Sequence, residues 1–288
     1  MIVSASYRTD IPAFYSAWFL RCLAEGSCRV RNPYGGAAYE VSLREGAVDG
    51  FVFWSRNMAP LAPHLATVRR RAPFIVQYTL TGYPRALESS VIDAMRAIVQ
   101  ITDLAARWGK RAVVWRYDPI VVTTLTPPGW HEGNFQRLAA GLAGRTDEVV
   151  VSFATPYRKT QRNLAVAARR HGFAWSDPEP AEKRALLNRL AAVAAAHGMR
   201  LTICSQPELV GPEGGEARCI DADRLADVAQ SAVAAKEQGN RPGCRCALSR
   251  DIGAYDSCPH GCVYCYAVAD RERAVGRHRE HDPASPFL

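Results

Sequence analysis

Long hydrophobic runs are missing from this sequence of 288 residues. A segment that crosses a bilayer needs about 20 consecutive apolar residues. The longest apolar stretches, such as VIDAMRAIV at 91–99 and AAVAAA at 191–196, are much shorter. The opening stretch MIVSASYRTDIP also lacks the charged and apolar regions of a signal peptide. We therefore expect a cytoplasmic protein with no membrane partner.

A glycine-rich G-x-G-x-x-G after a strand is also missing, which argues against a dinucleotide-binding fold. The first 205 residues instead alternate apolar strands with helical stretches. The predicted strands are 2–6, 50–55, 74–80, 112–117, 148–153 and 200–205, and the predicted helices lie near 13–25, 60–71, 89–108, 132–143, 159–171 and 180–197. This alternation is typical of a parallel sheet covered on both faces. The predicted fold class is α/β: a (β/α) barrel, complete or partial, with six or more parallel strands.

The pattern changes after Ser205, and we divide the chain there. Residues 1–205 are assigned to the barrel, and residues 206–288 to a cysteine-rich C-terminal segment packing on the barrel mouth. Within that segment a helix is predicted at 221–237, followed by a Gly-, Cys- and Arg-rich stretch expected to form a metal-binding cap. The last residues, GRHREHDPASPFL, are predicted to be a loose tail.

Polar side chains gather at the C-terminal ends of the predicted strands, where a (β/α) barrel places its chemistry. The candidates for a catalytic face are Arg8, Asp10, Arg56, Tyr78, Arg116 and Asp118. Arginine forks hold carboxylates and phosphates, so the set predicts a pocket for an anionic substrate. The alternative is that Asp10 and Asp118 pair with Arg8 and Arg116, or cap the helices that follow.

The formal charge of +8 is compatible with an anionic partner, either a small molecule or nucleic acid. The positive excess is spread along the chain and forms no basic arm or tail. A small anionic substrate is therefore favoured, and nucleic acid is kept as a less favoured alternative.

Nine cysteines are present, and five of them lie between Cys244 and Cys265. An odd, crowded set in a reducing compartment favours metal ligation over disulfides. The stretch CPHGCVYCYA places Cys258, Cys262 and Cys265 at C-x3-C-x2-C spacing, so that three thiolates can converge on one iron–sulfur cluster and leave one iron open. The alternatives are free thiols or a zinc ion with His260 as the fourth ligand.

The other cysteines suggest a second metal site. Cys204, Cys219, Cys244 and Cys246 come from three segments and are predicted to hold either zinc or a second iron–sulfur cluster. Cys204 and Cys219 have an alternative interpretation as small buried hydrophobic residues. Cys22 and Cys28, on or near the first helix, are expected to be structural.

The cysteine stretch resembles the C-x3-C-x-aromatic-C signature of the radical S-adenosylmethionine (SAM) superfamily, and CPHGCVYCYA is similar to its spore photoproduct lyase-like branch. The resemblance implies a [4Fe-4S] cluster held by Cys258, Cys262 and Cys265. It also implies SAM chelated to the fourth iron, Tyr264 beside the cluster or adenine, and an external electron donor. Gly214-Gly215-Glu216 resembles the SAM amino-group motif of that superfamily. Its members carry the loop after the first strand, whereas here it follows the last, which predicts a permuted arrangement with the loop folded back over the barrel mouth.

The whole chain also resembles an uncharacterised bacterial family known as a domain of unknown function, number 1848. The similarity rests on stretches such as SASYRTDIPAFYSAWF, VDGFVFWSRN, VVWRYDPI and GNRPGCRCALSRDIGAYDSC. It implies the architecture and the cluster without a reaction. The leading hypothesis is a radical SAM-like enzyme acting on an anionic substrate. The alternatives are a non-catalytic iron–sulfur protein for electron transfer or sensing, and a zinc- or iron–sulfur-stabilised protein that binds or repairs nucleic acid.

Overall fold

The computed structural model describes residues 1–33, 35–211 and 214–288, and within these ranges the chain forms twelve strands and nine α-helices. The strands are β1 (Ile2–Ala5), β2 (Ser27–Val30), β3 (Tyr39–Ser42), β4 (Gly50–Ser55), β5 (Phe74–Thr79), β6 (Val113–Ile120), β7 (Val122–Thr123), β8 (Glu148–Phe153), β9 (Trp175–Ser176), β10 (Arg200–Ile203), β11 (Gly215–Glu216) and β12 (Ser249–Asp251). The helices are α1 (Ile11–Phe14), α2 (Ser16–Glu25), α3 (Leu65–Arg71), α4 (Ala94–Trp108), α5 (Pro128–Leu142), α6 (Arg158–His171), α7 (Pro180–Ala196), α8 (Ala222–Ala229) and α9 (Arg271–Glu280). None of the helices in these ranges is both long and apolar enough to cross a membrane.

Eight of the described strands form one parallel sheet in the order β11-β10-β8-β6-β5-β4-β1-β12. All six predicted strands belong to it. Neighbours follow the chain order, except that the last strand returns to pair with the first, with Ile2 opposite Ser249. This is the strand order of a (β/α) barrel. The predicted α/β class is therefore confirmed, and the fold is barrel-like.

The two edge strands β11 and β12 do not pair with each other in the described ranges. Two irregular segments, 217–220 and 246–248, span the space between them. The Ala217 amide donates to the Ile203 carbonyl (2.9 Å), and the Ala247 amide donates to the Ile220 carbonyl (2.8 Å). Residues 206–288 thus supply two strands and the closing segments of the same sheet that residues 1–205 begin.

Side chains alternate between the two faces of the sheet, as the pleat of a strand requires. One set of alternate positions forms an inner apolar cluster that includes Ile2, Val52 and Val150. The neighbouring positions, such as Phe53 and Trp115, pack in the larger core that contains the buried faces of the helices. The residue's position along a strand therefore decides whether it faces the interior or the helix layer.

Helix α8 closes the amino-terminal end of the sheet. Arg224 is 2% exposed and bonds Glu148 (2.6 Å) and Asp147 (2.9 Å) at the start of β8, and Leu225 joins the inner cluster. The helix predicted over 221–237 ends at Ala229, because Gln230 adopts a left-handed conformation (φ 55°) and its amide bonds back to Ala226 and Asp227. With this end of the sheet closed, the opposite end is the one open to chemistry.

The last residues of the chain are packed, so the predicted loose tail is wrong. Asp270 caps α9 by accepting from the Glu272 and Arg273 amides. Beyond the helix, the Pro286 carbonyl accepts from the Arg29 amide (2.9 Å), and the Ser285 carbonyl accepts from the Trp18 indole (3.1 Å). Hydrogen bonds to α2 and β2 fix this segment in a way that its polar composition does not indicate.

A buried histidine on α5 predicts a measurable pH dependence of stability. His131 is fully buried between Tyr117 and the Val121 carbonyl, and burial lowers its pKa to about 4. In the unfolded chain the His131 imidazole binds a proton near pH 6.5. The stability that the neutral, buried imidazole contributes is therefore intact above that pH and is lost as pH falls towards 4. We expect a loss of about 2–3 kcal/mol in the free energy of unfolding between pH 7.5 and 4.5 from this residue.

Urea unfolding at these two pH values tests the expectation. His131→Gln should reduce the pH dependence, whereas His171→Gln, at an exposed position, should leave it unchanged. Equal losses in the native chain and in His131→Gln would contradict the assignment.

Candidate functional site

The cysteine loop, residues 258–267, lies over the carboxyl ends of the parallel strands. It is paired with the segment that follows β5: the Val263 amide donates to the Leu87 carbonyl (3.0 Å), and the Ser90 amide donates to the His260 carbonyl (3.0 Å). Strand β12 carries the chain to this edge because it lies beside β1. The loop therefore lies at the carboxyl end of the sheet.

A glycine inside the loop permits this close approach. Gly261 has φ +74°, and a β-carbon there would lie 2.2 Å from the Ser89 hydroxyl oxygen and 2.5 Å from the Arg271 Nε atom. A larger residue therefore meets both a strained backbone and steric overlap. This accounts for the His-Gly pair within CPHGC.

Asp10 is the main anchor beneath the loop. Its Oδ1 atom accepts from the Ser55 hydroxyl (2.7 Å) and caps α1 through the Ala13 amide (3.0 Å). Its Oδ2 atom accepts from the Arg56 amide (2.8 Å) and bonds His260 Nε2 (2.7 Å). The ends of β1 and β4 and the cysteine loop therefore meet at one buried carboxylate. The helix-capping alternative for Asp10 is confirmed, and the tie to His260 comes in addition to it.

Arg56 supplies a second anchor. Its guanidinium bonds Glu88 (2.7 Å) and the Tyr264 hydroxyl (2.6 Å), and that hydroxyl also bonds Glu88. Glu88 is 3% exposed, so its charge depends on this partner. Burial raises the pKa of Tyr264 well above its ordinary value, which keeps the phenol protonated as a donor.

The three loop thiols lie close enough to influence one another electrostatically. Burial raises the pKa of each of them, that of Cys262 to about 12. Opposing influences favour the thiolates: Arg56 acts on Cys262 and Cys265, and Cys265 Sγ accepts from the Ala267 amide (3.4 Å). Protonated thiols are thus favoured in the bare loop, while the charges and amides around it suit anionic sulfur.

Arg8 lies in a separate cluster around Asp251. The Asp251 carboxylate accepts from Arg8 Nε (2.8 Å), the Ser6 hydroxyl (2.7 Å) and the Ser4 hydroxyl (2.8 Å). The alternative in which Arg8 pairs with Asp10 is therefore wrong, because the return of β12 beside β1 brings a different carboxylate to Arg8. Arg8 Nη2 also donates to the Asp251 carbonyl (2.9 Å).

Arg116 and Asp118 lie on the inner face of β6 and pair with each other (2.5 Å), as the alternative interpretation proposed. Arg116 also stacks on Trp54 (4.9 Å to the ring centroid) and donates to Cys219 Sγ (2.9 Å). The Trp54 indole donates to Ser4 (3.0 Å). A continuous chain of contacts thus connects the Asp251 cluster with the inner cysteines.

Tyr78 does not line the mouth. Its ring packs in the core that contains the helices, and its hydroxyl donates to the Gln100 side chain (2.8 Å) on α4. Its neighbour Gln77 points inwards and donates to the Cys219 carbonyl (2.8 Å). The prediction that Tyr78 lines the mouth is therefore wrong. Side chains alternate along β5, so Tyr78 faces the helices and Gln77 faces the interior.

The cysteines of the predicted second site lie on the inner face where the sheet closes. They form a row of thiols made of Cys204, Cys219, Cys246 and Cys244. Cys204 Sγ and Cys219 Sγ are 3.5 Å apart. Cys246 lies close enough to Cys219 and Cys244 to act electrostatically on both thiols. Its interaction with Cys244 lowers the pKa of Cys244 to about 6. Away from this row, Cys22 and Cys28 are buried free thiols, as expected for structural positions.

In the described ranges, no group of three or more His, Cys, Asp or Glu side chains is already arranged around the position of a single metal ion. His260 bonds Asp10 through Nε2, and its Nδ1 atom is buried without a hydrogen-bond partner.

A cavity of about 210 Å³ opens behind the Arg56–Glu88 pair, between the segment after β5 and helix α4. Arg56 is the member of the predicted catalytic set in its lining, which also contains Arg85 and Arg137. The cavity therefore borders the loop's anchoring network and lies outside the inner face of the sheet.

The sequence interpretation missed three residues that organise this edge: Glu88, Trp54 and Asp251. The sequence predicts a helix from residue 89, directly after Glu88. In the structure α4 begins at Ala94 with Asp93 as its cap, so Glu88 lies in a loop. The Asp93 capping position was the available signal. Asp251 ends a strand of three residues, which is too short to show a period.

Comparison with known proteins places the whole sheet and the cysteine loop within one family. No curated protein and no solved structure matches the chain. The sequence model of a family described as "Domain of unknown function (DUF1848)" matches residues 2–267. The chain belongs to this DUF1848 family.

Proposed function

We propose that this protein is an iron–sulfur enzyme of the radical SAM type, with Cys258, Cys262 and Cys265 as the ligands of a [4Fe-4S] cluster. The observation that carries the proposal is the position of the loop over the carboxyl ends of the strands, the end at which such folds place their chemistry. When bound, the cluster supplies one electron for the reductive cleavage of SAM. The C-terminal segment acts as the metal-binding cap in this proposal.

The anchoring network supports the proposal because it fixes the loop from two sides. Asp10 holds His260, and Arg56 with Glu88 holds Tyr264, so residues on both sides of Cys262 are hydrogen-bonded to buried groups. Ligands that are fixed in advance lose little conformational entropy when they bind. Three cysteines on one loop leave a cluster with one iron free of protein ligands.

The charges at the mouth indicate how an anionic ligand is received. Arg8 and Arg116 are already paired with Asp251 and Asp118, so neither guanidinium is a strong candidate for a carboxylate. Lys159 is exposed, lies over the Tyr255 ring (5.5 Å) and lowers the pKa of Cys265 against the effect of burial. We assign Lys159 as the cation best placed to meet the SAM carboxylate.

The decisive experiment is anaerobic reconstitution with iron and sulfide, followed by SAM and dithionite and by measurement of 5′-deoxyadenosine. We expect 5′-deoxyadenosine from the native chain and from Cys22→Ala, and at least a hundredfold less from Cys265→Ala. Lys159→Ala should keep its iron and need a higher SAM concentration. A fully loaded protein that neither binds nor cleaves SAM would refute the enzyme proposal and leave an electron-transfer or sensing role.

A further inference from the structure

The row of cysteines at the sheet closure is separate from the loop site and is built from three segments. Cys204 follows β10, Cys219 lies in segment 217–220, and Cys244 and Cys246 lie in the stretch before β12. Cys204, Cys219 and Cys246 are 8%, 1% and 3% exposed. Cys219 and Cys246 lie in the two segments that span the space between β11 and β12, and Cys204 and Cys244 lie beside them.

The one measured spacing between these sulfurs is compatible with a shared ion. Tetrahedral zinc–thiolate bonds of about 2.3 Å place neighbouring sulfurs about 3.8 Å apart. The Cys204–Cys219 distance is 3.5 Å. The thiols of Cys244 and Cys246 lie close enough to act electrostatically on each other, and Cys246 also acts on Cys219. The four side chains must rotate to surround one point, since among the described residues no such group is already arranged around an ion.

Positive groups are directed at these sulfurs. Arg116 Nη1 donates to Cys219 Sγ (2.9 Å), Arg241 Nη2 donates to Cys204 Sγ (3.5 Å), and the Ile220 amide donates to Cys246 Sγ (3.4 Å). Arg116 is buried and already paired with Asp118, whereas Arg241 is exposed. Four thiolates around Zn²⁺ leave a site with a net charge of −2, and donors from both guanidinium groups stabilise the negative charge on its sulfurs.

The backbone just before Cys244 lies close to the turn that follows β10. Gly243 has φ +70°, and a β-carbon there would lie 2.9 Å from Pro207 Cδ. The C-x-C segment thus lies directly against the turn after Cys204. Pairing across the closure is otherwise limited to contacts such as the Ala247–Ile220 hydrogen bond (2.8 Å) in the described ranges.

We propose that Cys204, Cys219, Cys244 and Cys246 form a structural zinc site that holds the two ends of the sheet together. The site has four protein ligands and is closed to substrate, as structural zinc sites are. It is independent of the proposed enzymatic function, because it involves none of the three loop cysteines.

The test uses a background in which the loop cannot contribute metal: full-length protein with Cys258, Cys262 and Cys265 all replaced by alanine. Metal analysis of this protein, purified from zinc-supplemented medium and dialysed, should give about one zinc per chain. Adding Cys244→Ser and Cys246→Ser should reduce zinc at least fivefold. Adding Cys22→Ser and Cys28→Ser, two buried thiols outside the row, should leave it unchanged.

Cobalt substitution provides a readout that does not depend on the stability of the double variant. Co²⁺ bound in the background protein should give the intense sulfur-to-cobalt charge-transfer absorption of a four-thiolate tetrahedral site, and Cys244→Ser alone should weaken it. The proposal is overturned if the background holds no zinc, if it holds iron and sulfide in place of zinc, or if peptide mapping under non-reducing conditions finds a Cys204–Cys219 disulfide.

Discussion

Replacing Cys258, Cys262 and Cys265 together by alanine is expected to abolish iron binding at the loop, from about four irons per chain to near zero. The reason is chemical: alanine offers no ligand, and the three thiols are the ligands of the proposed cluster. Iron and sulfide analysis after anaerobic reconstitution measures the effect. Electron paramagnetic resonance of the reduced protein provides an independent signal, which should disappear in parallel.

The triple variant should still fold, and this makes the experiment interpretable. The loop is held by His260, Tyr264 and backbone hydrogen bonds, none of which uses a cysteine side chain. The matched control is Cys22→Ala with Cys28→Ala, which removes buried thiols elsewhere in the core and should retain full iron. Full iron in the triple variant, with Cys204, Cys219, Cys244 and Cys246 excluded as its ligands, would contradict the ligand assignment.

Replacing Arg56 by methionine is expected to destabilise the protein by about 3–5 kcal/mol. The substitution leaves the Glu88 carboxylate buried beside Tyr264 without its cation, and the cost of an unpaired buried charge dominates. Urea or thermal unfolding measures the change. Arg96, an exposed arginine of α4, provides the control, since Arg96→Met should change the free energy of unfolding by no more than about 0.5 kcal/mol.

A second substitution separates the charge effect from loss of packing. Adding Glu88→Gln to Arg56→Met removes the unpaired charge while keeping an amide that can bond Thr81 and Tyr264. We expect the double variant to recover most of the lost stability. If it is as unstable as Arg56→Met, the aliphatic packing of the arginine, and not its ion pair, is what stabilises this edge.

The polar set at the strand ends was predicted as residues that meet at one mouth, and the structure divides it. Asp10 and Arg56 lie beneath the cysteine loop and hydrogen-bond to each other. Arg8 pairs with Asp251, and Arg116 pairs with Asp118 and donates to Cys219. Position at a strand end was sufficient to find these residues. Asp118, two residues from Arg116, was the one partner that the sequence offered. Asp251 for Arg8 and His260 for Asp10 were not predictable, because each lies on a segment far away in the chain.

The sequence by itself determined the α/β class and the six long strands, because apolar runs and helical periodicity are local properties. It also identified the cysteine loop, since the spacing of three cysteines within ten residues is read directly. Tertiary structure alone decided that β12 lies beside β1, which brings His260 to Asp10 across 250 positions of sequence. Strands of two or three residues, such as β11 and β12, have too few side chains to show a period, so only packing against the rest of the sheet fixes them.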